Sequence, residues 1–377
     1  MTGCILRAAV LYWAYRRHSP SNANDKEEGR SAPEQPMIRF TNDYSEGAHP
    51  RILEALARTN LEGNYGYSCD EHSDRARALI REAIGRPDAD VHILVGGTQT
   101  NTTALCAFLR PHEAVIAAES GHVCVHETGA IEATGHKCIA MPAVEGRLTP
   151  EAVRAAVAAH PDEHMVKPRL VYISNTTEVG TVYTTAQLRE LRAVCDELGL
   201  LLYLDGARMA SALATGCTTL PETAALVDAF YIGGTKNGAM FGEALCILNP
   251  ALKPDFRYIL KQRGGMLAKG WLLGLQFEVL MQDGLYEQLG RHANEMAMRL
   301  KQGIAELGYG FGADSPSNQQ FPIFPDAVID RLKGDFHWET MGKLPGGRTH
   351  IRLVTSWATP PEAVEAFLAA LAACTGG

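Results

Sequence analysis

The pattern of apolar and polar positions divides most of the chain into short strands that alternate with helices. Six apolar runs have strand length, and they read VHILV (91–95), AVIAA (114–118), KCIAM (137–141), LVYIS (170–174), LLLYLD (200–205) and DAFYIGG (228–234). The segments between them have helical spacing; in TAQLRELRAVCDELG, Leu188, Leu191 and Cys195 share one face before Gly199. Continuous apolar strands between helices predict an α/β fold with a mostly parallel sheet that helices cover on both faces.

The pattern changes after residue 250. Two long helical stretches, WLLGLQFEVLMQ and YEQLGRHANEMAMRLKQGIAELG, precede the segment NQQFPIF, a helix around AVIDRLKG, the strand HIRLVTSW and the helix PPEAVEAFLAALAAC. This order predicts a small α+β domain behind the larger one. We therefore expect a large domain over residues 37–282 and a small C-terminal domain over residues 283–377.

The first 36 residues have a different composition from the rest. Arg7, Arg16 and Arg17 occur there, and no acidic residue precedes Asp25. Arginine with few acids is typical of an organellar presequence, whereas SNANDKEEGRSAPEQP has the composition of a polar linker. We interpret residues 1–36 as a disordered or targeting-like extension, or as an over-extended start. We expect a cytoplasmic protein, with an organellar location as the alternative.

Composition narrows the class of protein. The chain has 377 residues, of which 46% are hydrophobic, and its formal net charge is −8. This mildly acidic balance gives no electrostatic basis for binding nucleic acid, and no apolar stretch approaches the roughly 20 residues that span a bilayer. The nine cysteines form no C-x-x-C pair. We therefore expect reduced cysteines, no metal site, and a protein that binds neither nucleic acid nor a membrane.

A glycine-rich turn follows the first predicted strand. In parallel sheets ligands bind at the carboxyl ends of the strands, so the residues after each strand carry the most information. VHILV is followed by GGTQTNTTAL, where Gly97 and Thr98 precede a helix. Free backbone N–H groups at a helix start favour phosphate, although ordinary turn and capping chemistry would give the same pattern. The turn matches neither the Walker A motif nor G-x-G-x-x-G.

Two further strand ends carry ionisable residues. Asp205 ends the apolar strand LLLYLD, so it needs a cationic partner, which is either Arg208 or the protonated ring nitrogen of a cofactor. Lys236 lies in the small-residue turn of YIGGTKNG. A lysine in a desolvated pocket has a lowered pKa and can form a Schiff base with an aldehyde. A phosphate cradle, an acid for a ring nitrogen and an amine for an aldehyde together predict pyridoxal 5'-phosphate.

A series of motifs gives the chain a family resemblance. Along the sequence they read GGTQTN, SGHVCVHETGA, ISNTTEVGT, LYLDGARMASA, GGTKNGAMFGEA, RGGMLAKG and IRLVTSWAT. In this order they resemble the threonine aldolase and β-eliminating lyase family, whose members have the fold-type-I pyridoxal phosphate-dependent transferase-like fold. The chain is most similar to the branch that includes a trypanosomatid threonine aldolase and bacterial phenylserine aldolase. The likeness extends from about residue 40 to residue 370.

The resemblance implies a role for each matching residue. Lys236 corresponds to the lysine that bonds the cofactor, Asp205 to the partner of its ring nitrogen, and Arg208 to the arginine at its phenolate oxygen and the substrate carboxylate. The remaining matches bind cofactor or substrate: Gly97 and Thr98 in the phosphate loop, His122 stacked on the ring, and Arg352 and Asn42 (in FTNDY) at the substrate carboxylate. Arg263 and Lys269 correspond to residues that reach a neighbouring subunit's phosphate, although both fit solvated charges equally well.

One position departs from the family pattern. Many relatives have histidine after the Asn-Thr pair of ISNTTEVGT, and that histidine is associated with the substrate hydroxyl; here Thr177 occupies the position. The base for the hydroxyl proton is therefore open. His122 and His126 are the candidates, and His126 could equally be an outward or merely packed histidine.

The resemblance implies a lyase. We expect retro-aldol cleavage of L-threonine, L-allo-threonine or a related β-hydroxy-α-amino acid to glycine and an aldehyde, by a homodimer or homotetramer with shared active sites. β-Elimination or transamination on the same cofactor site is the alternative, because one fold carries many reactions. A cofactor- or nucleotide-binding protein without catalysis is the remaining possibility.

Overall fold

The computed structural model describes residues 37–375, so the predicted extension over residues 1–36 lies outside the described part. The helices are α1 Pro50–Thr59, α2 Glu71–Ala83, α3 Gly97–Phe108, α4 His122–Val125, α5 Pro150–Ala158, α6 Thr185–Leu198, α7 Met209–Ala214, α8 Leu220–Leu226, α9 Phe256–Gln262, α10 Trp271–Leu280, α11 Leu285–Glu306, α12 Asp326–Leu332 and α13 Pro361–Thr375. The strands are β1 Ile38–Arg39, β2 Asp90–Leu94, β3 Glu113–Ala118, β4 Cys138–Met141, β5 Lys167–Ser174, β6 Leu201–Asp205, β7 Ala229–Gly233, β8 Glu243–Ile247, β9 Gly310–Phe311, β10 Gln319–Gln320, β11 Pro322–Pro325, β12 Phe336–His337, β13 Glu339–Leu344 and β14 Arg348–Val354.

A seven-stranded sheet forms the centre of the larger part, with the strand order β2-β8-β7-β6-β5-β3-β4. All six strands predicted from the sequence are present, and the sequence did not predict β8. This strand runs antiparallel to both of its neighbours, β2 and β7, whereas the other neighbouring strands are parallel. The expectation of a mostly parallel sheet is confirmed.

Helices cover both faces of this sheet. Alternate residues of β3 enter separate cores: Ile116 packs in the core beneath α2, α6 and α10, and Val115 packs in the core beneath α3 and α9. The expected face of α6 is buried at Leu188 and Leu191, and Gly199 ends the helix with a left-handed φ of 65°. Burial on both faces explains why the strands read as continuous apolar runs.

A second, smaller sheet lies in the C-terminal region, where β10, β14, β11 and β9 are neighbours and β13 also pairs with β14. Its core includes Phe324, Ile351 and Phe367, together with Phe40 from the start of the described chain. Helix α11 contributes to two cores, since its first turns pack with the large sheet and its later turns pack with the small one. The domain division at residues 282 and 283 remains a prediction.

The sheet brings distant segments together at one edge. Register pairs Glu243 of β8 with Leu94 of β2 and with Gly233 of β7, and it pairs Ser174 of β5 with Asp205 of β6. The carboxyl ends of the parallel strands therefore meet the start of β8. Over residues 37–375, no helix is long and apolar enough to cross a membrane, and no three His, Cys, Asp or Glu side chains are grouped where they could hold a metal ion.

Candidate active site

A cavity of about 270 Å³ opens at the carboxyl ends of the central strands. Residues from several separate chain segments form its wall: Tyr44, Val95, Gly96, Gly97, Thr98, His122, Ser174, Thr176, Glu178, Asp205, Ala207, Arg208, Tyr231, Thr235, Lys236 and Glu243. Six of the predicted site residues are among them, namely Gly97, Thr98, His122, Asp205, Arg208 and Lys236. The sheet topology therefore brings together the glycine turn, the acid and the amine, as the sequence predicts.

Asp205 is a buried carboxylate that receives four hydrogen bonds. The hydroxyls of Tyr172 and Tyr231 donate to it at 2.6 and 2.5 Å, the Asn101 amide donates at 2.9 Å, and the backbone N–H of Ala207 donates at 3.0 Å. Burial alone would raise the pKa of Asp205, but these donors outweigh burial and lower its pKa. The carboxylate therefore stays charged inside the cavity wall, as a partner for a protonated ring nitrogen must.

The N-terminus of α3 supplies unpaired backbone donors. The helix begins at Gly97 after an extended Gly96, and no side chain caps it. The first intrahelical bond runs from the Thr100 N–H to the Gly96 carbonyl at 3.0 Å, so the N–H groups of the first turn are left for another acceptor. Such a terminus on a cavity wall fits a phosphate group.

Lys236 lies half-buried in the turn between β7 and β8. Burial is the largest influence on its pKa, and the positive charge of Arg208 acts in the same direction. Together they lower the pKa of Lys236 despite the nearby carboxylates. Its Nζ is 5.8 Å from the centre of the Tyr44 ring. A lysine with a depressed pKa on a cavity wall is suited to attack an aldehyde.

Arg208 is paired with Asp43, so it is not the partner of Asp205 that the sequence left open. Its Nε and Nη2 donate to the two Asp43 oxygens at 2.7 and 3.1 Å, and the Asn318 amide donates to Asp43 at 2.9 Å. Burial would raise the pKa of Asp43, but the charges of Arg208 and Lys236 and the hydrogen bonds lower it. The bidentate pair fixes the guanidinium in the wall of the cavity.

His122 is anchored through a buried glutamate. Its Nδ1 lies 2.8 Å from Oε1 of Glu127, and the Asn101 amide donates to the same oxygen at 2.8 Å. Burial would lower the pKa of His122, but the hydrogen bond with Glu127 and the nearby charges of Glu178 and Asp205 raise it. Because Asn101 also donates to Asp205, one amide connects the histidine support to the buried acid.

Known proteins match this chain over most of its length. Residues 43–322 match the family described as beta-eliminating lyase. The chain belongs to this family. A solved structure of the threonine aldolase of Leishmania major is 51% identical with a TM-score of 0.89, covering 90% of this chain and 100% of that chain. Low specificity L-threonine aldolases of Pseudomonas aeruginosa and of Pseudomonas sp. strain NCIMB 10558 are 33% and 35% identical, over 86% and 71% of this chain and 94% and 79% of theirs.

In this member of the family, five predicted site residues lie outside the cavity wall. Asn42 accepts hydrogen bonds from the Tyr44 N–H and the Ser45 hydroxyl, so its carbonyl group holds a local turn. His126 is exposed after α4, with its ring centre 5.5 Å from that of His122.

The other three carry positive charge. Arg263 contacts the Cys106 sulfur on α3 at 3.0 Å, and Lys269 is exposed. Arg352 donates to Gln319 at 3.3 Å and forms an ion pair with Glu339. The roles of these five residues therefore stay predictions.

Several cavity residues of this lyase were not foreseen from the sequence. Glu178 and Glu243 are two further carboxyl groups on the wall. Burial raises the pKa of Glu243 to about 8, against weaker opposing effects from Thr235, Lys236 and the Gly234 N–H. A carboxyl group that keeps its proton at neutral pH would not repel a phosphate held nearby at the start of α3. The spacing of motifs along the sequence does not predict such residues, because their position in the cavity depends on how the strands pair.

The cavity fits pyridoxal phosphate on its own geometry. An uncapped helix start suits the phosphate, a charged buried aspartate suits the protonated ring nitrogen, and a lysine of lowered pKa suits the aldehyde carbon. Gly97 permits close approach, since a Cβ there would lie 3.2 Å from the Tyr231 hydroxyl. The residues that would hold the cofactor are Gly97, Thr98, Asp205, Arg208 and Lys236.

Proposed function

We propose that this chain is a pyridoxal phosphate-dependent aldolase that cleaves L-threonine, L-allo-threonine or a related β-hydroxy-α-amino acid to glycine and an aldehyde. The main support for this proposal is that Lys236, Asp205 and the start of α3 line one cavity together with the buried Arg208. The 51% identity to a threonine aldolase structure supports the same reaction. The enzyme is a carbon–carbon lyase.

The residues divide the work of binding and charge control. Pyridoxal phosphate, when bound, supplies an electron-accepting ring that stabilises negative charge at the substrate's α-carbon. Asp205 would keep a proton on the ring nitrogen, because its own pKa is held low by four donors. Lys236 would hold the cofactor through its amine and would release it to a substrate amine, and Arg208 would orient the cofactor's phenolate oxygen and the substrate carboxylate.

Product analysis tests the reaction type. The purified enzyme with added cofactor is incubated separately with L-threonine, L-allo-threonine and L-phenylserine. Aldolase activity gives one glycine for each aldehyde released. The aldehyde is acetaldehyde from either threonine isomer and benzaldehyde from L-phenylserine. Ammonia with a 2-oxo acid would indicate β-elimination, and amino-group transfer to an added oxo acid would indicate transamination. A coloured protein without turnover of any of the three would support a binding protein.

The assembly belongs to the same proposal. We propose a homodimer or homotetramer in which Arg263 and Lys269 approach a neighbouring subunit's phosphate site. Large apolar side chains on the surface support an interface, since Leu61 is 96% exposed, Tyr65 80% and Tyr258 77%. Light scattering gives the mass. Mixing inactive Lys236→Ala chains with Arg263→Ala chains should restore activity if subunits share sites, because a mixed assembly contains one complete site.

The biological setting is also proposed. A reaction that makes glycine from threonine suits glycine biosynthesis and threonine catabolism. We propose a cytoplasmic location, and the organellar alternative depends on residues 1–36, which lie outside the described structure. Sequencing the mature N-terminus decides between them, because a presequence would be removed.

A further inference from the structure

The segment after β5 exposes alternate side chains to the cavity. Thr176 and Glu178 line its wall, and Thr177 between them does not. Thr177 is only 2% exposed, and its hydroxyl lies 2.7 Å from the hydroxyl of Thr181. The side chain that replaces the usual histidine is therefore engaged within the turn, and the next residue reaches the cavity.

The turn that presents Glu178 is held firmly. The Thr177 N–H donates to the Thr181 carbonyl at 2.8 Å, and the Gly180 N–H donates to the Thr177 carbonyl at 2.9 Å. The Ser315 hydroxyl donates to the Gly180 carbonyl at 3.0 Å from the C-terminal region. A carboxylate on a turn bound from both sides loses little freedom when it engages a ligand, which suits a group that must meet a substrate in one orientation.

The Glu178 carboxylate has no protein donor. Within residues 37–375, no hydrogen bond or ion pair engages this half-buried side chain, although its charge raises the pKa of His122 and acts on Arg208 and Lys236. A partly desolvated carboxylate is stabilised by a donor. A bound molecule with a hydroxyl group would supply one.

The other carboxyl groups in the wall are already engaged by protein donors. Among the histidines, His122 is fixed by the bond from its Nδ1 to Glu127, which leaves only its Nε2 open, and His126 is exposed outside the wall. Asp205 receives four hydrogen bonds. Glu243 accepts from the Gly234 N–H at 3.2 Å and lies deep between β2 and β7. Among the described cavity residues, Glu178 is thus the carboxylate that is free to accept a proton.

We propose that Glu178 is the catalytic base that takes the proton from the substrate's β-hydroxyl group, an assignment that rests on the proposed aldolase function. The O–H bond breaks as the proton moves to the Glu178 carboxylate, and the oxygen's electron pair forms the aldehyde C=O bond. The Cα–Cβ bond breaks, and its electron pair stays on the α-carbon. A proton later added at the α-carbon gives glycine, so the proton held by Glu178 returns to solvent without net gain or loss.

Two reactions of the holoenzyme distinguish a base for the substrate hydroxyl from a residue that supports the cofactor site in general. Cleavage of L-threonine needs a base for the hydroxyl, whereas exchange of the glycine α-proton in heavy water needs the cofactor site but no hydroxyl base. We expect Glu178→Gln to lower kcat for threonine cleavage about 100- to 10,000-fold. Glycine exchange, followed by NMR, should change less than about threefold, and the cofactor absorbance should persist. Glu178→Asp, which keeps the charge, should retain more cleavage than Glu178→Gln.

Glu145→Gln is the matched control. This glutamate lies beside the turn, since its carbonyl accepts from the Thr181 hydroxyl at 2.7 Å, but its side chain is 64% exposed and paired with Arg147. The control should cleave threonine at the wild-type rate. Equal losses of cleavage and exchange in Glu178→Gln, or unchanged cleavage, would overturn the assignment while the aldolase function stands. A wild-type enzyme that exchanges glycine but cleaves no β-hydroxy amino acid would overturn the proposed function and this assignment with it.

Discussion

Charged side chains in the cavity wall are fixed by specific partners, and Arg208, which forms a buried ion pair with Asp43, is one example. Both side chains are buried, with 8% and 1% exposed, and two parallel hydrogen bonds join them. A buried ion pair adds little net stability over apolar packing, but the loss of one member leaves the other charge without compensation. The pair therefore keeps the positively charged guanidinium of Arg208 at a fixed place in the cavity wall.

Asp43→Asn tests this pairing. The variant keeps the side-chain size and removes the charge opposite Arg208, so we expect the free energy of unfolding of the cofactor-free chain to fall by about 3 kcal/mol. Urea denaturation measures the change. Asp283→Asn is the control, because Asp283 pairs with Arg51 at the surface and its side chain is 74% exposed; it should lower stability by less than about 1 kcal/mol. Equal effects of the two substitutions would contradict the account.

Glu243 gives the enzyme a specific pH dependence. Its folded pKa of about 8 lies above its ordinary 4.5, so between these values the folded chain holds a proton that the unfolded chain has lost. The stabilisation from this proton is complete below pH 4.5 and is lost as the pH rises through about 8. Glu243→Gln should remove a slope of up to about 1.4 kcal/mol per pH unit in this range.

Urea unfolding of the cofactor-free chain at several pH values between 4.5 and 8 measures that slope. Glu163→Gln changes an exposed glutamate and should follow the wild-type pH profile. The Glu243 assignment would be wrong if Glu243→Gln and the wild type had parallel profiles.

The ionisable residues of the cavity are easier to predict from the sequence than the residues that bind them. Asp205 and Lys236 follow apolar strands, and a charged residue at such a strand end is visible in the sequence. Tyr172 and Tyr231 read as ordinary strand residues, and their hydroxyls meet Asp205 only because β5 and β7 flank β6. Neighbours in a parallel sheet are set by topology, which spacing along the chain does not reveal.

At the scale of elements, the ends of β6 and β7 lie so close together that Gly206 and Gly233 have no room for a side chain. A Cβ on Gly206 would lie 1.9 Å from the Tyr231 carbonyl oxygen, and a Cβ on Gly233 would lie 2.4 Å from the Ala207 carbonyl oxygen. The Gly233 N–H donates to the Gly206 carbonyl at 3.0 Å across this contact. Glycine at these positions lets the loops that carry Arg208 and Lys236 meet at one cavity.

Gly206→Ala tests the close approach. The added methyl group must push β6 and β7 apart, so we expect a loss of at least about 1 to 3 kcal/mol in stability and weaker retention of the cofactor. Thermal unfolding and the cofactor content per chain measure both effects. Gly334→Ala is the control, because a Cβ there meets nothing within 4 Å. A Gly206→Ala chain that binds cofactor and melts like the wild type would show that the ends do not need this contact.

The elements differ in how visible they are in the sequence. The six predicted strands are apolar throughout, because both faces of the sheet are buried, and that pattern is plain. Strand β8 is harder to predict, although EALCI is mostly apolar, because a glycine-rich turn precedes it, its first residue is a glutamate and no helix separates it from β7. An antiparallel strand in a largely parallel sheet breaks the alternation on which the prediction rested.

At the scale of the whole molecule, the C-terminal region helps to build the cavity. Asn318 donates to Asp43 at 2.9 Å, and Gln319 donates to the Thr177 carbonyl at 3.4 Å while it accepts from Arg352. Helix α11 packs in both the large and the small core, so it joins the two regions. These contacts connect the C-terminal region to Asp43 and to the turn at Thr177, beside the cavity.

Arg352→Gln tests the predicted contact with the substrate carboxylate. A hydrogen bond to a charged group contributes about 1.5 to 3 kcal/mol, so we expect KM for threonine to rise about 10- to 100-fold. The cofactor absorbance should not change. Arg348→Gln is the control on the same strand, because Arg348 is exposed and donates to the Pro345 carbonyl. An unchanged KM in Arg352→Gln would show that another residue binds the substrate carboxylate.

The central claim is that Lys236 holds pyridoxal phosphate in this cavity for aldol cleavage. The most direct test measures acetaldehyde release from L-threonine and the visible absorbance of bound cofactor, in the same sample, for the wild type and Lys236→Ala. Lys333→Ala, which removes an exposed lysine paired with Asp330, serves as the control. We expect the wild type and the control to release acetaldehyde and absorb alike, and Lys236→Ala to lose both. Undiminished acetaldehyde release and absorbance in Lys236→Ala would contradict the account.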